Sequence, residues 1–271
     1  MLKFTVLGSG SAGNSYWFGT KNHGVLIDCG LSTKQIKKRM EENGLSLSQI
    51  DAVFITHGHS DHVGSCKILH KALNKYGNVP FYMSKGTYAF SDDRCLPRTI
   101  EFISCGGTVQ IGDLVVEAFG VTHDAPETLA YRVEHKGMYG GVLTDLGSIT
   151  PRVLNKMRSL SIMALEFNHD PKMLFEGTYA YSVKERVASM EGHLSNQQAE
   201  DALAEIASPR LQQLIAAHIS ERNNTFSHVE RHITRALKRA NAIHDIKVHL
   251  ADQHIQSPIF EIEAEYSLVD Y

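Results

Sequence analysis

Three histidines and one aspartate fall within six residues in Thr56-His57-Gly58-His59-Ser60-Asp61-His62. His57 and His59 are two apart, so an extended backbone points both side chains the same way. Asp61 and His62 are adjacent, at the place where the chain must turn. Two of these side chains can serve one ion and two its neighbour. Imidazole nitrogen combined with carboxylate oxygen suits borderline divalent metals such as zinc or manganese. Blander readings exist for each residue alone: an exposed His pair, a helix N-cap at Asp61, a solvated first-turn His62. Packing alone rarely gathers four such residues in one turn.

The flanking sequence says what holds them. The run Ala52-Val53-Phe54-Ile55 reads as a strand of a sheet covered on both faces. Residues 63–73 read as a helix, so the motif lies at a strand-to-helix junction. Upstream, Leu2-Lys3-Phe4-Thr5-Val6-Leu7 is an opening strand, followed by the literal G-x-G-x-x-G of Gly8-Ser9-Gly10-Ser11-Ala12-Gly13 with Asp28 beyond it. This imitates a dinucleotide-binding fingerprint. That fingerprint needs a helix to start at the loop, whereas Asn14-Ser15-Tyr16-Trp17-Phe18 is β-prone. A glycine-rich hairpin, presenting backbone N–H groups to a ligand or simply turning tightly, fits better. Ser32 caps a helix over 33–43 that Gly44 ends; its Lys34, Lys37 and Lys38 read as a solvated face.

Residues 100–143 change to a β pattern. One hairpin turns about Gly112-Asp113 and another near Lys136-Gly137. His123 follows Phe119-Gly120-Val121-Thr122, and Asp145 ends the strand before it. Polar residues at the carboxyl ends of strands are where α/β sites gather. Thr150-Pro151 starts a helix. The strand Ser161-Ile162-Met163-Ala164-Leu165 runs into the polar loop Glu166-Phe167-Asn168-His169-Asp170. Ser195 caps a helix over 196–207. The strand Leu214-Ile215-Ala216-Ala217 delivers His218-Ile219-Ser220-Glu221-Arg222-Asn223-Asn224. A helix over 226–240 carries Arg231, Arg235, Lys238 and Arg239 on a solvated face, and 246–250 is an edge strand.

Length and composition fit this alternation. The chain has 271 residues, 42% hydrophobic, and no repeat or low-complexity segment, which points to an α/β architecture. No apolar run approaches the roughly 18 residues of a membrane span, and no secretory leader precedes the first strand. Four cysteines without a Cys-x-x-Cys favour free thiols and a cytoplasmic location. Net charge is −3, but residues 252–271 hold five acidic residues and no Lys or Arg. They are expected to form a mobile acidic tail outside a single domain over 1–251. A slightly basic body with bound cations can accept a polyanion.

Taken together, the His57-x-His59-x-Asp61-His62 motif after a buried strand, with His123, Asp145 and His218 at later strand ends, resembles the metallo-β-lactamase superfamily. The resemblance covers about residues 1–250. It implies an αβ/βα four-layer sandwich, with two mixed sheets facing each other and helices outside. It also implies a two-metal site at one edge. His57, His59 and His123 would hold one ion, Asp61, His62 and His218 the other, and Asp145 would bridge them. Asp28 would support the site. Gly8-Ser9-Gly10-Ser11-Ala12-Gly13-Asn14-Ser15, Gly192-His193-Leu194-Ser195-Asn196 and the His218 loop are similar to the YycJ/VicX (WalJ) branch, although Phe167 stands where a small Ser is expected and Gly58 where Glu is expected. That branch implies 5′-to-3′ DNA exonuclease activity.

The resemblance implies a hydroxide held between two zinc or manganese ions, attacking a phosphate they clamp. Asp61 would orient this nucleophile, and His193 would bind the phosphate or protonate the leaving oxygen. Ser220, Arg222, Asn223 and Asn224 would contact backbone phosphate. A small-molecule hydrolase of cyclic phosphodiesters, thioesters or lactams would share every metal ligand. A metal-stabilised regulatory protein without turnover is the reading from another class.

Overall fold

The computed structural model describes residues 1–242 and 245–263. Two seven-stranded mixed sheets form its centre. In the first, the hairpin of β1 (Leu2–Gly8) and β2 (Ser15–Gly19) continues antiparallel into β3 (Gly24–Ile27). Parallel strands β4 (Ala52–Phe54), β5 (Phe81–Met83) and β6 (Glu101–Phe102) follow. In the second, β7 (Thr108–Ile111), β8 (Leu114–Gly120), β9 (Leu129–His135) and β10 (Met138–Leu143) run antiparallel. Parallel β11 (Ile162–Glu166), β12 (Gln213–Ala217) and β13 (Lys247–Leu250) complete it.

The period of two along each strand explains the layering. Ala52 and Phe54 of β4 join Phe4, Phe18, Val116, Tyr131, Ala164 and Ile215 in a core between the sheets. The alternate residue Val53 faces a second core with Leu7, Leu26, Ile36, Met40 and Leu69. Met163 and Leu165 of β11 likewise turn to a third core with Val153, Leu203, Val229 and Ile233. Helices therefore cover each outer face: α1 (Thr33–Glu42), α2 (Ser60–Val63), α3 (Cys66–Leu73) and α4 (Lys85–Phe90) belong to the first half. The second half carries α5 (Pro151–Met157), α6 (Pro171–Glu176), α7 (Tyr181–Ala188), α8 (Asn196–Ile206) and α9 (Phe226–Arg239). This is the expected four-layer sandwich.

Local signals are read out directly in the helices. Ser32 and Ser195 each close a capping box, and Thr150 caps α5 with Pro151 at its start. The helix expected over 63–73 differs: it begins earlier, at Ser60, and breaks at Gly64-Ser65. There the chain leaves its own ladder, Ser65 N–H donating to Cys29 O and Lys67 N–H to Cys95 O. Lys37 and Lys38 pair with Glu41 and Glu42 on the solvated face of α1. Among the described residues, no helix is long and apolar enough to cross a membrane.

The boundary drawn at residue 252 is not where packing ends. β14 (Phe260–Ile262) pairs antiparallel with β1. Ser257 Oγ accepts from Val6 N–H at 2.9 Å, and Gln253 Oε1 accepts from Ala12 N–H at 2.8 Å. Buried Arg39 donates to Leu7 O, Gln253 O and His254 O. Acidic composition concealed this because Glu261 is exposed on the edge strand and Glu263 just beyond its end; residues 264–271 lie outside those described. Ile262 is fully buried, so ending the chain at residue 251 is expected to cost at least about 2 kcal/mol. Denaturant titration of this truncation beside the full chain checks the loss.

Candidate metal centre

The carboxyl ends of the central strands meet at one edge of the sandwich. Three chain exits there adopt left-handed backbone on non-glycine residues: Asp28 after β3 (φ 60°), Asp145 after β10 (φ 58°) and His218 after β12 (φ 51°). Such conformations cost on the order of 1 kcal/mol or more each and persist where the surroundings impose them. They turn all three side chains into the same region. The motif loop after β4 arrives beside them, and Gly30 lets it approach closely: a Cβ there would lie 1.6 Å from Asp61 O.

His57 Nε2 lies 3.1 Å from His59 Nδ1, which is 3.3 Å from His123 Nε2. The far nitrogens of two of these rings are engaged. His57 Nδ1 meets Thr56 Oγ1 at 3.0 Å, and His123 Nδ1 meets Gly192 O at 3.1 Å. That fixes the tautomers with Nε2 lone pairs inward. Burial holds His57 well below the usual imidazole range, so it stays neutral. Three nitrogens this close together could hold a cation.

A second cluster surrounds Asp145. Its Oδ2 is 3.2 Å from His62 Nε2 and its Oδ1 is 3.2 Å from His218 Nδ1. His62 Nδ1–H donates to Asp28 Oδ2 at 2.8 Å, while Thr56 N–H and Oγ1–H hold the same carboxylate. Asp28 thus orients His62 from behind. Asp61 Oδ2 is 3.6 Å from His62 Nε2. Burial opposes charge throughout, but opposite charges prevail. His62 lies well above its ordinary value and Asp145 well below, and His218 is raised to about 10 by Asp145 and Glu166.

Glu166 was read only as part of a polar loop. It ends β11 fully buried, with Oε1 2.8 Å from His193 Nδ1 and 3.1 Å from His218 Nδ1, and Oε2 accepting from Leu146 and Leu194 N–H. Burial works against its charge, yet His193 and His218 bring it down to about 2. In return Glu166 lifts His193 above the usual imidazole range despite desolvation. The signal that marks it is the one that marked Asp145: an acidic residue straight after an apolar strand. Asp124 and Arg186 also escaped notice. Asp124 Oδ1 lies 3.2 Å from His123 Nε2, and Arg186 Nη1 donates to Asp124 Oδ2 at 2.8 Å.

A cavity of about 310 Å³ lies over these groups, lined by His59, Asp61, His123, Asp145, His193, His218 and Arg186. Ser220, Arg222, Asn223 and Asn224 do not line it. Buried Asn224 donates to Phe167 O and Asn168 O and pairs with Asn196, so its amide closes the loop around β12. Asn223 is buried, with its N–H on Ser220 Oγ. Arg222 lies over the Tyr179 ring. Nor does the glycine loop offer its N–H groups: Gly10 donates to Asn14 Oδ1, Gly13 to Gly10 O and Asn14 to Asp61 O.

The donor set fits divalent cations. Asp145 Oδ2, His218 Nδ1 and Asp124 Oδ1 are buried with ionic or imidazole neighbours at 3.1–3.2 Å but no well-aligned hydrogen bond, a set that a cation would complete. In the metal-free chain, protons on His62 and His218 supply that positive charge. His218 is raised from 6.5 to about 10, so its contribution is complete below pH 6.5 and is lost as pH rises through 10. The chelated protein is expected to lose thermal stability across that window, whereas protein loaded with zinc or manganese holds its midpoint. Metal uptake near neutral pH is expected to release protons. Calorimetry in buffers of different ionisation enthalpy checks the release.

A family profile described as a Beta-lactamase superfamily domain matches residues 23–219. The Exodeoxyribonuclease YycJ of Bacillus anthracis is 33% identical over 226 residues, covering 82% of this chain and 84% of that protein. The Exodeoxyribonuclease WalJ of Streptococcus pneumoniae is 30% identical over 267 residues, covering 96% and 98%. Among solved structures, the metallo-beta-lactamase fold protein YhfI from Bacillus subtilis superposes with a TM-score of 0.68 at 16% identity, covering 96% of this chain and 100% of that one. With its two mixed sheets, its strand-end cluster and these matches, the chain belongs to the metallo-β-lactamase superfamily.

Proposed function

We propose that this chain is a metal-dependent exodeoxyribonuclease acting in the 5′-to-3′ direction. Similarity over most of the chain to two exodeoxyribonucleases, together with a cluster of candidate metal ligands, carries the reading. Two ions, zinc or manganese, would be held by His57, His59 and His123 and by Asp61, His62 and His218, with Asp145 between them. Glu166 orients His193 and His218. Such ions supply a Lewis acid and a water acidic enough to attack phosphorus at neutral pH.

The protein's own groups supply the rest. Asp61, partly exposed at the cavity, orients the attacking water. His193, charged by Glu166 and 19% exposed, donates a proton to the departing oxygen. Arg186, paired with Asp124, is the arginine of the cavity lining among the described residues and takes over the phosphate-contact role expected of Arg222. The small-molecule hydrolase reading shares the ligands but leaves the similarity to nucleases without a reason.

The test is DNA labelled at either end, incubated with metal-loaded protein beside His59→Ala. Immediate release of the 5′ label as mononucleotide, absent in His59→Ala, supports the reading; a ladder of internal cuts rejects the exonuclease mode, and no cleavage with zinc or manganese rejects the nuclease. His59→Ala and Asp145→Ala are expected to lose activity together with bound metal. His193→Ala is expected to keep its metal and to slow turnover by about 10²–10⁴-fold. Arg186→Ala is expected to raise KM more than it lowers kcat, as steady-state kinetics on short duplexes would reveal.

A further inference from the structure

Behind His123 lies a second cavity, of about 520 Å³, and His123 lines both. Its size is within the roughly 300–1,000 Å³ of small-molecule sites. The two cavities differ in their basic groups. The first has Arg186, paired with Asp124, beside Asp61, Asp145 and the proposed metal ligands. The second has Glu127 and Glu191 and, among the described residues, no Lys or Arg in its lining.

Its neutral polar groups are largely engaged with the protein itself. Thr128 Oγ1–H donates to Ala125 O, Thr122 Oγ1 is bonded to Ser148, and Ser84 Oγ to Thr87. The walls therefore present Val121, Leu129 and satisfied hydroxyls. That surface suits the face of a flat uncharged ring. Glu127 Oε2 already accepts from Gly86 N–H; its other oxygen and the Glu191 carboxylate can accept hydrogen bonds from amino or hydroxyl groups and repel a phosphate.

We propose that this cavity receives the terminal nucleoside of the strand, base and sugar, while the phosphate being cut sits over the metal cluster. The inference rests on the nuclease reading and adds a reason for its exonuclease mode. A cavity without a basic side chain in its described lining disfavours a further phosphate beyond the nucleoside, so a 5′-hydroxyl end fits it and a continuing strand does not. Base and sugar fill the space behind His123, and the next phosphate falls on its Nε2 side, where the cations and Arg186 are.

Gly120 provides the plug. It ends β8 on the cavity wall, and a Cβ there would meet only Cys105 Sγ, at an ordinary 3.5 Å. Gly120→Phe places a ring in the cavity from its strand-end wall and replaces no proposed metal ligand. The variant is expected to lose at least about tenfold in kcat/KM on DNA while cleaving bis(p-nitrophenyl) phosphate, which has no nucleoside, at the wild-type rate. Equal loss on both substrates, or no loss on DNA, overturns the proposal. Exposed Cys105 in the lining gives a readout that needs no catalysis and no variant. Millimolar thymidine is expected to slow its labelling by a maleimide in the metal-loaded wild type, and inorganic phosphate is not. Absence of protection by thymidine overturns the pocket. Protection by thymidine in a protein that leaves DNA intact removes the nuclease reading and keeps the nucleoside site.

Discussion

The fully buried carboxylate of Asp145, held between His62 and His218, is the constraint on which the rest of the structure depends. A carboxylate far from water is tolerated only with compensating positive charge. Without metal, that charge is two protons on imidazoles whose ordinary affinities would not hold them. One Asp145 oxygen and the inward nitrogen of His218 still lack a well-aligned hydrogen bond. Divalent cations answer both needs, which is why the same residues destabilise an empty chain and organise a loaded one.

The sandwich makes this geometry reproducible. Each sheet brings its parallel strands to one edge, and each delivers part of the cluster. The first half contributes Asp28 and the loop from His57 to His62; the second contributes His123, Asp145, Glu166, His193 and His218. One apolar layer fixes the two sheets against each other, and a further layer holds each sheet to its own helices. The strained backbone at Asp28, Asp145 and His218 can therefore be held open at the edge. Second-layer contacts then set each ring: Thr56 behind His57, Asp28 behind His62, Gly192 O behind His123, Glu166 behind His193.

How much of this was legible depended on how local the signal was. The His57-to-His62 loop, the capped helices and the hairpins at Gly112 and Lys136 are short-range features, and the sequence displays them openly. His123, Asp145 and His218 could be found because each is a polar residue ending an apolar strand. Glu166 carries the same mark but was lost among the polar residues that follow it. Asn224 illustrates the reverse error, since an amide that bonds backbone carbonyls looks in sequence like one that awaits a phosphate. β14 was hidden because its partner β1 lies some 250 residues away and its outward side chains are acidic. Pairing across that separation leaves no local trace in composition.

The demand for cations around Asp145 is tested most directly by counting them. Purified protein is stripped with chelator, reloaded with zinc or manganese, freed of excess and measured for metal per chain by mass spectrometry, beside Asp145→Asn. Two ions per wild-type chain are expected, with a fall for both ions in Asp145→Asn and the fold retained by circular dichroism. A wild type that retains no metal, or an Asp145→Asn that still holds two ions as tightly, would contradict it.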